Sequence, residues 1–320
     1  MNYTHLTQEE RYQIHAYKQA GKSVPEIAKK LGRNKSSLYR ELERNTGQRG
    51  YRPKQADALA VKRLSNAPKA IKLTEIVIVK VEEKLRCYWS PEQISGRLLK
   101  EEGISISHET IYQHILRDKK NGGDLYTYLR HQKKRRRRYG SKVHDRRGQI
   151  KDKVSIDERP KVVDAKTRLG DWEGDLVIGK NHKGALVTLA ERKSMKVKID
   201  IVPSKEANGV GKSVSNLLSK EKVFTITFDN GKEFANHKQM AVDTSSKVYF
   251  AHPYSSWERG LNENTNGLIR QFFKKGSSFE NISNEDVKAV EDLLNNRPRK
   301  SLGYNTPNEI YSGERRAVRD

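Results

Sequence analysis

The chain has 320 residues, with 64 lysines and arginines against 40 aspartates and glutamates, so its formal net charge is +24. A charge of this size favours a polyanionic partner, and the lack of any apolar run of about 18 residues or of a signal-peptide core argues against a membrane partner. The single cysteine, Cys87, excludes an internal disulfide and fits a cytoplasmic setting, and no Cys/His cluster has the spacing of a zinc site.

Residues 1–50 predict a helix-turn-helix DNA-binding domain. Thr7 and Glu10 have the spacing of a capping box, Ser23 precedes a second helix, and Asn34 has the position of a cap for a third. The net charge favours DNA binding over the alternative, a plain helical bundle with a solvated basic face. The expected DNA contacts lie on or beside the third helix, at Arg33, Asn34, Lys35, Ser36, Ser37 and Arg40.

Residues 51–120 predict a helical region with a second, weaker helix-turn-helix. Ser90 and Pro91 start one helix, Gly103 ends it, and Ser107 caps the next. The residues of this last helix that we expect to face DNA are His108 and Gln113.

Residues 121–165 predict a basic linker. A run of like charge repels itself and does not build a core, so the segment either lies on DNA phosphates or is a solvated stretch. A nuclear-localisation signal is a further reading, which requires a eukaryotic host. The run consists of Lys133, Lys134, Arg135, Arg136, Arg137 and Arg138.

The hydrophobic period changes at about residue 166, where strands begin to alternate with helices. The predicted strands are 171–179, 184–190, 196–202, 223–228 and 247–251, and the predicted helices are 205–220, 256–273 and 284–296. This order indicates an α/β domain over 166–275, with a mixed five-stranded sheet and flanking helices, followed by a helical tail at 276–320. The chain is therefore expected to be multi-domain.

Three acidic residues of this region have unusual positions. Asp175 lies inside a predicted strand, and Asp229 ends another strand at the edge where α/β sheets commonly bind ligands. Glu263 lies in a helix that a capping box of Ser255 and Glu258 is expected to start, and it would face outward. The apolar stripe expected on the opposite side of this helix comprises Trp257, Leu261, Leu268 and Phe272. A single exposed carboxylate is ordinarily just solvated. A functional role for Glu263 is therefore predicted only in combination with the other motifs of this region.

Long motifs in this region resemble bacterial insertion-sequence transposases of the insertion-sequence-thirty family. The motifs that carry the resemblance are GDWEGDLVIG at 170–179, TFDNGKEF at 227–234, YSSWERGLNENTNGLIRQFF at 254–273, NRPRK at 296–300 and YNTP at 304–307. Residues 154–160 and the basic run before them also fit, so the resemblance covers nearly the whole chain. One departure is Lys274, which stands where the family pattern has a proline.

The resemblance implies a ribonuclease-H-like catalytic core in which Asp175, Asp229 and Glu263 are catalytic. Thirty-three residues separate the last two, as in the family pattern. The three carboxylates would hold two Mg²⁺ ions, for which Mn²⁺ can substitute, and such ions clamp the oxygens of a phosphodiester. Arg270 would contact phosphate near the metals, although a solvated basic face is an alternative for it.

The function implied by the resemblance is DNA transposition. The protein would bind the terminal inverted repeats of its element, cleave the ends and join the 3′-hydroxyl to target double-stranded DNA, associated with the bacterial nucleoid. Two ends must meet, so we expect a homo-oligomer, at least a dimer. The alternatives are a sequence-specific DNA-binding regulator, a catalytically inactive transposase derivative and a plain nuclease with the same fold.

Overall fold

The computed structural model describes residues 5–66, 73–130, 150–253 and 255–313. The chain divides into two compact units, with the boundary after Ile71. The predicted basic run at 133–138 lies outside the described residues. Within the described ranges, no helix is long and apolar enough to cross a membrane.

The first unit is a small helical domain around one apolar core. Its elements are α1 (Gln8–Gln19), α2 (Val24–Lys30), α3 (Lys35–Asn45), the short hairpin of β1 (Thr46–Gly47) and β2 (Gly50–Tyr51), and α4 (Pro53–Asn66). Ile14, Ile27 and Leu38 are fully buried between the first three helices. The predicted caps are confirmed, because Thr7 and Glu10 form a capping box and the Asn34 side chain accepts from the Ser36 amide.

Helix α4 packs on α1 and α3, so the structure groups it with the three helices before it. An almost fully buried guanidinium fixes this arrangement. Arg11 Nε donates to Glu41 Oε1 at 2.8 Å, and its Nη1 donates to Asp57 Oδ1 on α4 at 2.9 Å. The domain limits that we inferred from the sequence separate residues 1–50 from 51–120, and that division stays a prediction.

The second unit begins with three helices, α5 (Glu75–Arg86), α6 (Pro91–Glu102) and α7 (His108–Lys120). Ser90 and Gln93 form a capping box at α6, Gly103 ends that helix with a positive φ of 67°, and the Ser107 side chain caps α7. Positive φ favours glycine because it has no Cβ. The predicted pair of helices with a glycine turn is therefore confirmed as local structure.

The centre of the second unit is one mixed sheet of five strands in the order β5-β4-β3-β6-β7. The strands are β3 (Asp171–Ile178), β4 (Ala185–Glu191), β5 (Val197–Val202), β6 (Thr225–Phe228) and β7 (Lys247–Phe250). β3, β4 and β5 are antiparallel neighbours, whereas β6 runs parallel to both β3 and β7. This topology confirms the predicted mixed sheet and agrees with the ribonuclease-H-like fold implied by the resemblance.

Helices cover both faces of the sheet. One face carries α9 (Ala207–Leu218) and α10 (His237–Asp243), and the other carries α11 (Gly260–Phe272) and α12 (Asn284–Asn295). Two short helices complete the unit, α8 (Lys161–Ala165) before β3 and α13 (Pro307–Ser312) in the tail. Trp172 and Val177 of β3 belong to the two opposite cores, because successive strand residues point to opposite faces. Asp175 therefore shares the α11 face with Val177.

The start of α11 differs from the prediction. Residues 256–259 form a turn of 3-10 helix, and α11 begins at Gly260, which puts Glu263 in its first turn. The predicted capping box of Ser255 and Glu258 is wrong, because the Glu258 carboxylate accepts hydrogen bonds from the backbone and the ring of His252 instead. Trp257, which we expected on the apolar stripe, is 74% exposed.

The C-terminal tail returns to α6. The Arg97 guanidinium forms a two-fold ion pair with the Glu309 carboxylate, and its Nη1 also donates to the Tyr304 carbonyl at 2.8 Å. The Tyr304 ring packs so closely on Gly96 that a Cβ there would lie 2.2 Å from it. The tail thus connects the helices at 75–120 with the sheet domain.

Candidate active site

Asp175 and Asp229 lie side by side because of the register between two parallel strands. Glu173 of β3 pairs with Thr227 of β6, and each aspartate follows two residues later. Parallel neighbours run about 4.8 Å apart, so two residues beyond a paired position the chains are still side by side; Asp175 lies inside β3, and Asp229 follows the last residue of β6. This is the C-terminal edge of β6, where α/β sheets commonly bind ligands.

One guanidinium lies against both carboxylates. Arg259 Nη1 is 3.6 Å from Asp175 Oδ1, and Arg259 Nη2 is 3.3 Å from Asp229 Oδ2. Nη1 also donates to the carbonyl of Gly174 at 3.1 Å. The two aspartates therefore converge on one positive charge, which shows that their side chains point into a shared space.

Neighbouring polar groups fix the two carboxylates. Asn266 of α11 donates its Nδ2 to Asp175 Oδ2 at 2.6 Å, while Thr188 of β4 donates to Asn266 Oδ1 at 3.2 Å. The Gly231 amide donates to Asp229 Oδ1 at 2.9 Å, which closes a tight turn after β6. Each carboxylate keeps one oxygen toward Arg259.

The side chain of Glu263 is exposed and, among the described residues, its carboxylate makes no hydrogen bond or ion pair. Its place on α11 nevertheless relates it to the two aspartates. It precedes Asn266 of the same helix by three residues, and residues at this spacing lie on the same face of a helix. Asn266 donates to Asp175, so Glu263 lies on the side of α11 that carries this contact.

The electrostatics of the site favour a bound cation. Burial raises the pKa of Asp175, the Arg259 guanidinium opposes this shift, and the negative charge of Asp229 adds to it. The pKa of Glu233 is also raised, first by burial and then by the charge of Asp229. Several carboxylates thus compete for little positive charge, a condition that hard divalent cations relieve.

Arg259 and Glu233 are the members of this site that sequence reasoning missed. Both lie within the motifs quoted above, but their spacing gave no sign that Arg259 contacts both aspartates or that Glu233 interacts electrostatically with Asp229. The contacts depend on the packing of α11 against β3 and on the turn after β6. A positional signal existed only for Asn266, which shares the helix face of Glu263.

The donor set fits a magnesium site in its chemistry. Carboxylate oxygens are the ligands that Mg²⁺ prefers, and Asp175 and Asp229 supply two from adjacent strands. Over residues 5–66, 73–130, 150–253 and 255–313, however, no three acidic, histidine or cysteine side chains are close enough to hold an ion together. In the described arrangement Arg259 is the cation that the two aspartates bind.

The predicted DNA contacts of the first unit fall into two groups. Arg33 is held by Glu10, with Nε donating to Oε1 at 2.7 Å, and Asn34 caps α3, so both fix the turn before that helix. The others lie on α3, where Lys35, Ser36 and Arg40 are exposed and Ser37 is half-buried. These four residues therefore lie on or beside the exposed face of α3.

The remaining predicted contacts lie in the second unit. His108 and Gln113 are exposed on α7, and Gln113 donates to Glu109 at 2.7 Å. Arg270 is half-buried on α11, and its Nη2 donates to the Ile178 carbonyl at 2.9 Å. This hydrogen bond ties Arg270 to the end of β3 and gives it a structural contact in addition to any role with DNA.

Comparisons with known proteins identify the family of this chain. Residues 2–45 match a helix-turn-helix domain family. The chain is 46% identical to the transposase for insertion sequence element IS4351 of Bacteroides fragilis, over 96% of this chain and 95% of that protein. It is 36% identical to the transposase for insertion sequence element IS1086 of Cupriavidus metallidurans, over 97% and 95% of the two chains.

A third relative is the transposase InsI for insertion sequence element IS30A of Escherichia coli, 37% identical over 96% of this chain and 83% of that one. Among solved structures, the catalytic core domain of BIV integrase is similar over 45% of this chain and 93% of that chain, with 21% identity and a TM-score of 0.36. These relatives are 36–46% identical to the chain, and each match covers nearly its whole length. The chain belongs to the insertion-sequence-thirty family of transposases.

Proposed function

We propose that this transposase binds the terminal inverted repeats of its insertion sequence, cleaves the element's ends and joins the freed 3′-hydroxyl to target DNA. The observation that carries the proposal is the convergence of Asp175 and Asp229 on one cation, on the face of the sheet that α11 covers. Glu263, in the first turn of α11 and three residues before Asn266, completes the proposed catalytic set.

The reaction consists of two displacements at phosphorus. Water attacks the phosphodiester at the element's end, the bond to the 3′-oxygen breaks, and the element keeps a 3′-hydroxyl while the flank keeps the 5′-phosphate. That hydroxyl then attacks a target phosphodiester and displaces a target 3′-oxygen. No protein nucleophile is required.

The residues of the chain orient the reacting groups. Asp175, Asp229 and Glu263 would hold two Mg²⁺ ions, or Mn²⁺ in their place, and these ions supply Lewis-acid activation of the attacking and leaving oxygens. Asn266 and the Gly231 amide keep the two aspartates in place. Arg270 and the basic run from Lys133 to Arg138 would contact phosphates.

DNA recognition is proposed to lie in the first unit and in α7. Lys35, Ser36, Ser37 and Arg40 line the open face of α3, where side chains of a helix-turn-helix read base edges in the major groove. Arg33 and Asn34 would act by holding the turn before α3. Because two element ends must be joined, we propose that the active form is at least a dimer.

The test uses the purified chain and DNA that carries an element end, with and without Mg²⁺. Wild-type protein is expected to nick at the element end only with the metal, and Asp229→Asn and Glu263→Gln are expected to lower the rate by at least about 100-fold, because each removes a proposed ligand. The measurement is the nicked fraction over time on a denaturing gel.

Glu285→Gln is the matched control, since Glu285 is an exposed glutamate in the first turn of another helix, α12. It is expected to nick at the wild-type rate. Nicking that survives in Asp229→Asn would refute the catalytic assignment. Specific end binding without nicking by the wild type would instead support a DNA-binding regulator or an inactive derivative.

A further inference from the structure

Arg259 connects the start of α11 to both aspartates of the candidate active site. Its side chain is 11% exposed, and its two terminal nitrogens lie 3.6 Å and 3.3 Å from oxygens of Asp175 and Asp229. Its Nε is buried without a hydrogen-bond partner among the residues described. The guanidinium is therefore held at this place by the two carboxylates and by the Gly174 carbonyl.

The position of the guanidinium conflicts with the proposed metal site. The aspartate oxygens that face Arg259 are the ones left open by Asn266 and the Gly231 amide. A divalent cation bound to the same oxygens would lie within a few ångströms of a fixed positive charge, which costs free energy in a half-buried site. Arginine does not lose its proton in proteins, so this charge leaves only if the side chain moves.

The segment that carries Arg259 is suited to such a movement. Residues 256–259 form a single 3-10 turn between a loop and α11, and Trp257 in this turn is 74% exposed. A hydrogen bond links this turn to the loop before it, because the Glu258 carboxylate accepts from the His252 backbone amide at 2.8 Å. Segments that bury few apolar contacts open at a low cost in free energy.

We propose that Arg259 is an internal counter-ion: it occupies Asp175 and Asp229 in the metal-free protein and leaves them when divalent metal binds. Arg259 thereby sets the metal affinity of the site, as a positioning residue that competes with the metal for the same oxygens. The proposal rests on the proposed function, because it takes the two aspartates as metal ligands.

The first experiment measures Mn²⁺ binding to the full chain without DNA, by electron paramagnetic resonance. Arg259→Gln removes the competing charge, so its dissociation constant is expected to be at least about tenfold lower than that of the wild type. Arg259→Lys keeps a positive charge and is expected to stay close to the wild type. Equal or weaker binding by Arg259→Gln would overturn the proposal.

Two further variants make the result specific. Arg168→Gln is the matched control, because Arg168 pairs with Asp171 at the other end of β3, and it is expected to leave Mn²⁺ binding unchanged. Asp229→Asn tests the ligand assignment itself. If Asp229→Asn binds Mn²⁺ like the wild type, the proposed function fails together with Arg259; if it binds more weakly and Arg259→Gln is not tighter, only the role of Arg259 fails.

A second measurement needs no variant and holds even if Arg259→Gln does not fold. Phenylglyoxal modifies accessible arginines, and mass spectrometry reports the extent at each position. Modification of Arg259 in the wild type is expected to increase when Mg²⁺ is added, with Arg168 unchanged as an internal reference. An unchanged or lower reactivity of Arg259 with Mg²⁺ would contradict its release.

Discussion

Arg192 and Glu173 form an ion pair beneath the candidate active site, with side chains that are 7% and 2% exposed. Arg192 Nε also donates to the Val163 carbonyl at 3.0 Å, and Glu173 Oε2 accepts from the Asn262 amide of α11. Burial raises the pKa of Glu173, and Arg192 opposes that shift. The pair thus joins β3 to the start of α11, two residues before Asp175.

Removal of Arg192 is expected to destabilise the protein strongly. Arg192→Met leaves the Glu173 carboxylate buried without its partner, and such losses cost about 3–5 kcal/mol of the free energy of unfolding. Urea denaturation measures the change. Lys288→Met is the control, because Lys288 is an exposed partner of Glu291 and Asp292 and should cost less than about 1 kcal/mol. Similar losses in both variants would contradict the importance of burial.

The exposed His252 is a residue whose contribution to stability should depend on pH. Hydrogen bonds to Glu258 and then Asp157 raise the pKa of His252 above its ordinary value of 6.5. A raised pKa in the folded state means that the stabilisation is complete below pH 6.5 and is lost as the pH rises through the raised pKa.

We therefore expect the melting temperature of the wild type to exceed that of His252→Gln at pH 5.5, and the difference to shrink by pH 8.5. Thermal melts monitored by circular dichroism across this range provide the measurement. His108→Gln on α7, which replaces another exposed histidine, serves as the control. A difference that is constant or grows with pH would contradict the ion pairs of His252.

At the level of single elements, β3 requires a glycine beside its aspartate. A Cβ on Gly174 would lie 2.2 Å from the Phe228 ring of β6. Gly174→Ala forces these strands apart, so we expect a loss of about 1–3 kcal/mol of stability. Because the shift moves Asp175 relative to Asp229, Mn²⁺ affinity should also fall. Gly209→Ala on α9 is the control, since a Cβ there meets open space.

Urea denaturation and Mn²⁺ titration of the two glycine variants give the comparison. Wild-type stability in Gly174→Ala would show that the strands adapt to the added methyl group, and unchanged Mn²⁺ affinity would show that the spacing of the aspartates tolerates it.

The elements also show which features follow from sequence spacing. The capping box at Thr7 and the helix cap at Ser90 were predicted correctly because each depends on residues only three positions apart, and the box at Thr7 forms even though Glu10 also accepts from Arg33. Ser255 and Glu258 have the same spacing, yet the box does not form, because Glu258 binds His252. Strands with clear alternation were placed to within about two residues, since their period reflects the two faces of the sheet.

The candidate site was only partly accessible from the sequence for the same reason. Asp175 and Asp229 could be identified from the sequence because charged carboxylates are unusual within or directly after a predicted strand. Their link through Arg259 depends on how α11 and the 3-10 turn before it pack against the sheet, which no local pattern encodes. The ion pair of Arg33 with Glu10 across the first unit is likewise not encoded by a local pattern, and the DNA contact expected of Arg33 stays a prediction.

At the scale of the whole molecule, the charge of +24 should dominate non-specific DNA binding. Replacing the six basic residues at 133–138 by glutamine is expected to reduce the slope of log affinity against log salt by up to about 5, because each lost phosphate contact accounts for about 0.9. Fluorescence anisotropy titrations of DNA binding at salt concentrations from about 50 to 200 mM measure this slope.

The preference for element ends over random DNA should remain in this variant, because phosphate contacts carry no sequence information. An unchanged salt slope would favour the alternative that the run is merely a solvated stretch.

The contact between α6 and the tail has a consequence for synthesis of the chain. Arg97 and Glu309 are separated by 212 positions, so the ribosome, at about 5–20 residues per second, needs about 10–40 s to make the second partner after the first. Until then the Arg97 guanidinium has the Glu101 carboxylate of its own helix but lacks Glu309, and Gly96 lacks the Tyr304 ring that packs on it. A nascent or prematurely terminated chain therefore carries the first helix-turn-helix in full, while the contacts of α6 with Tyr304 and Glu309 form only after the tail is translated.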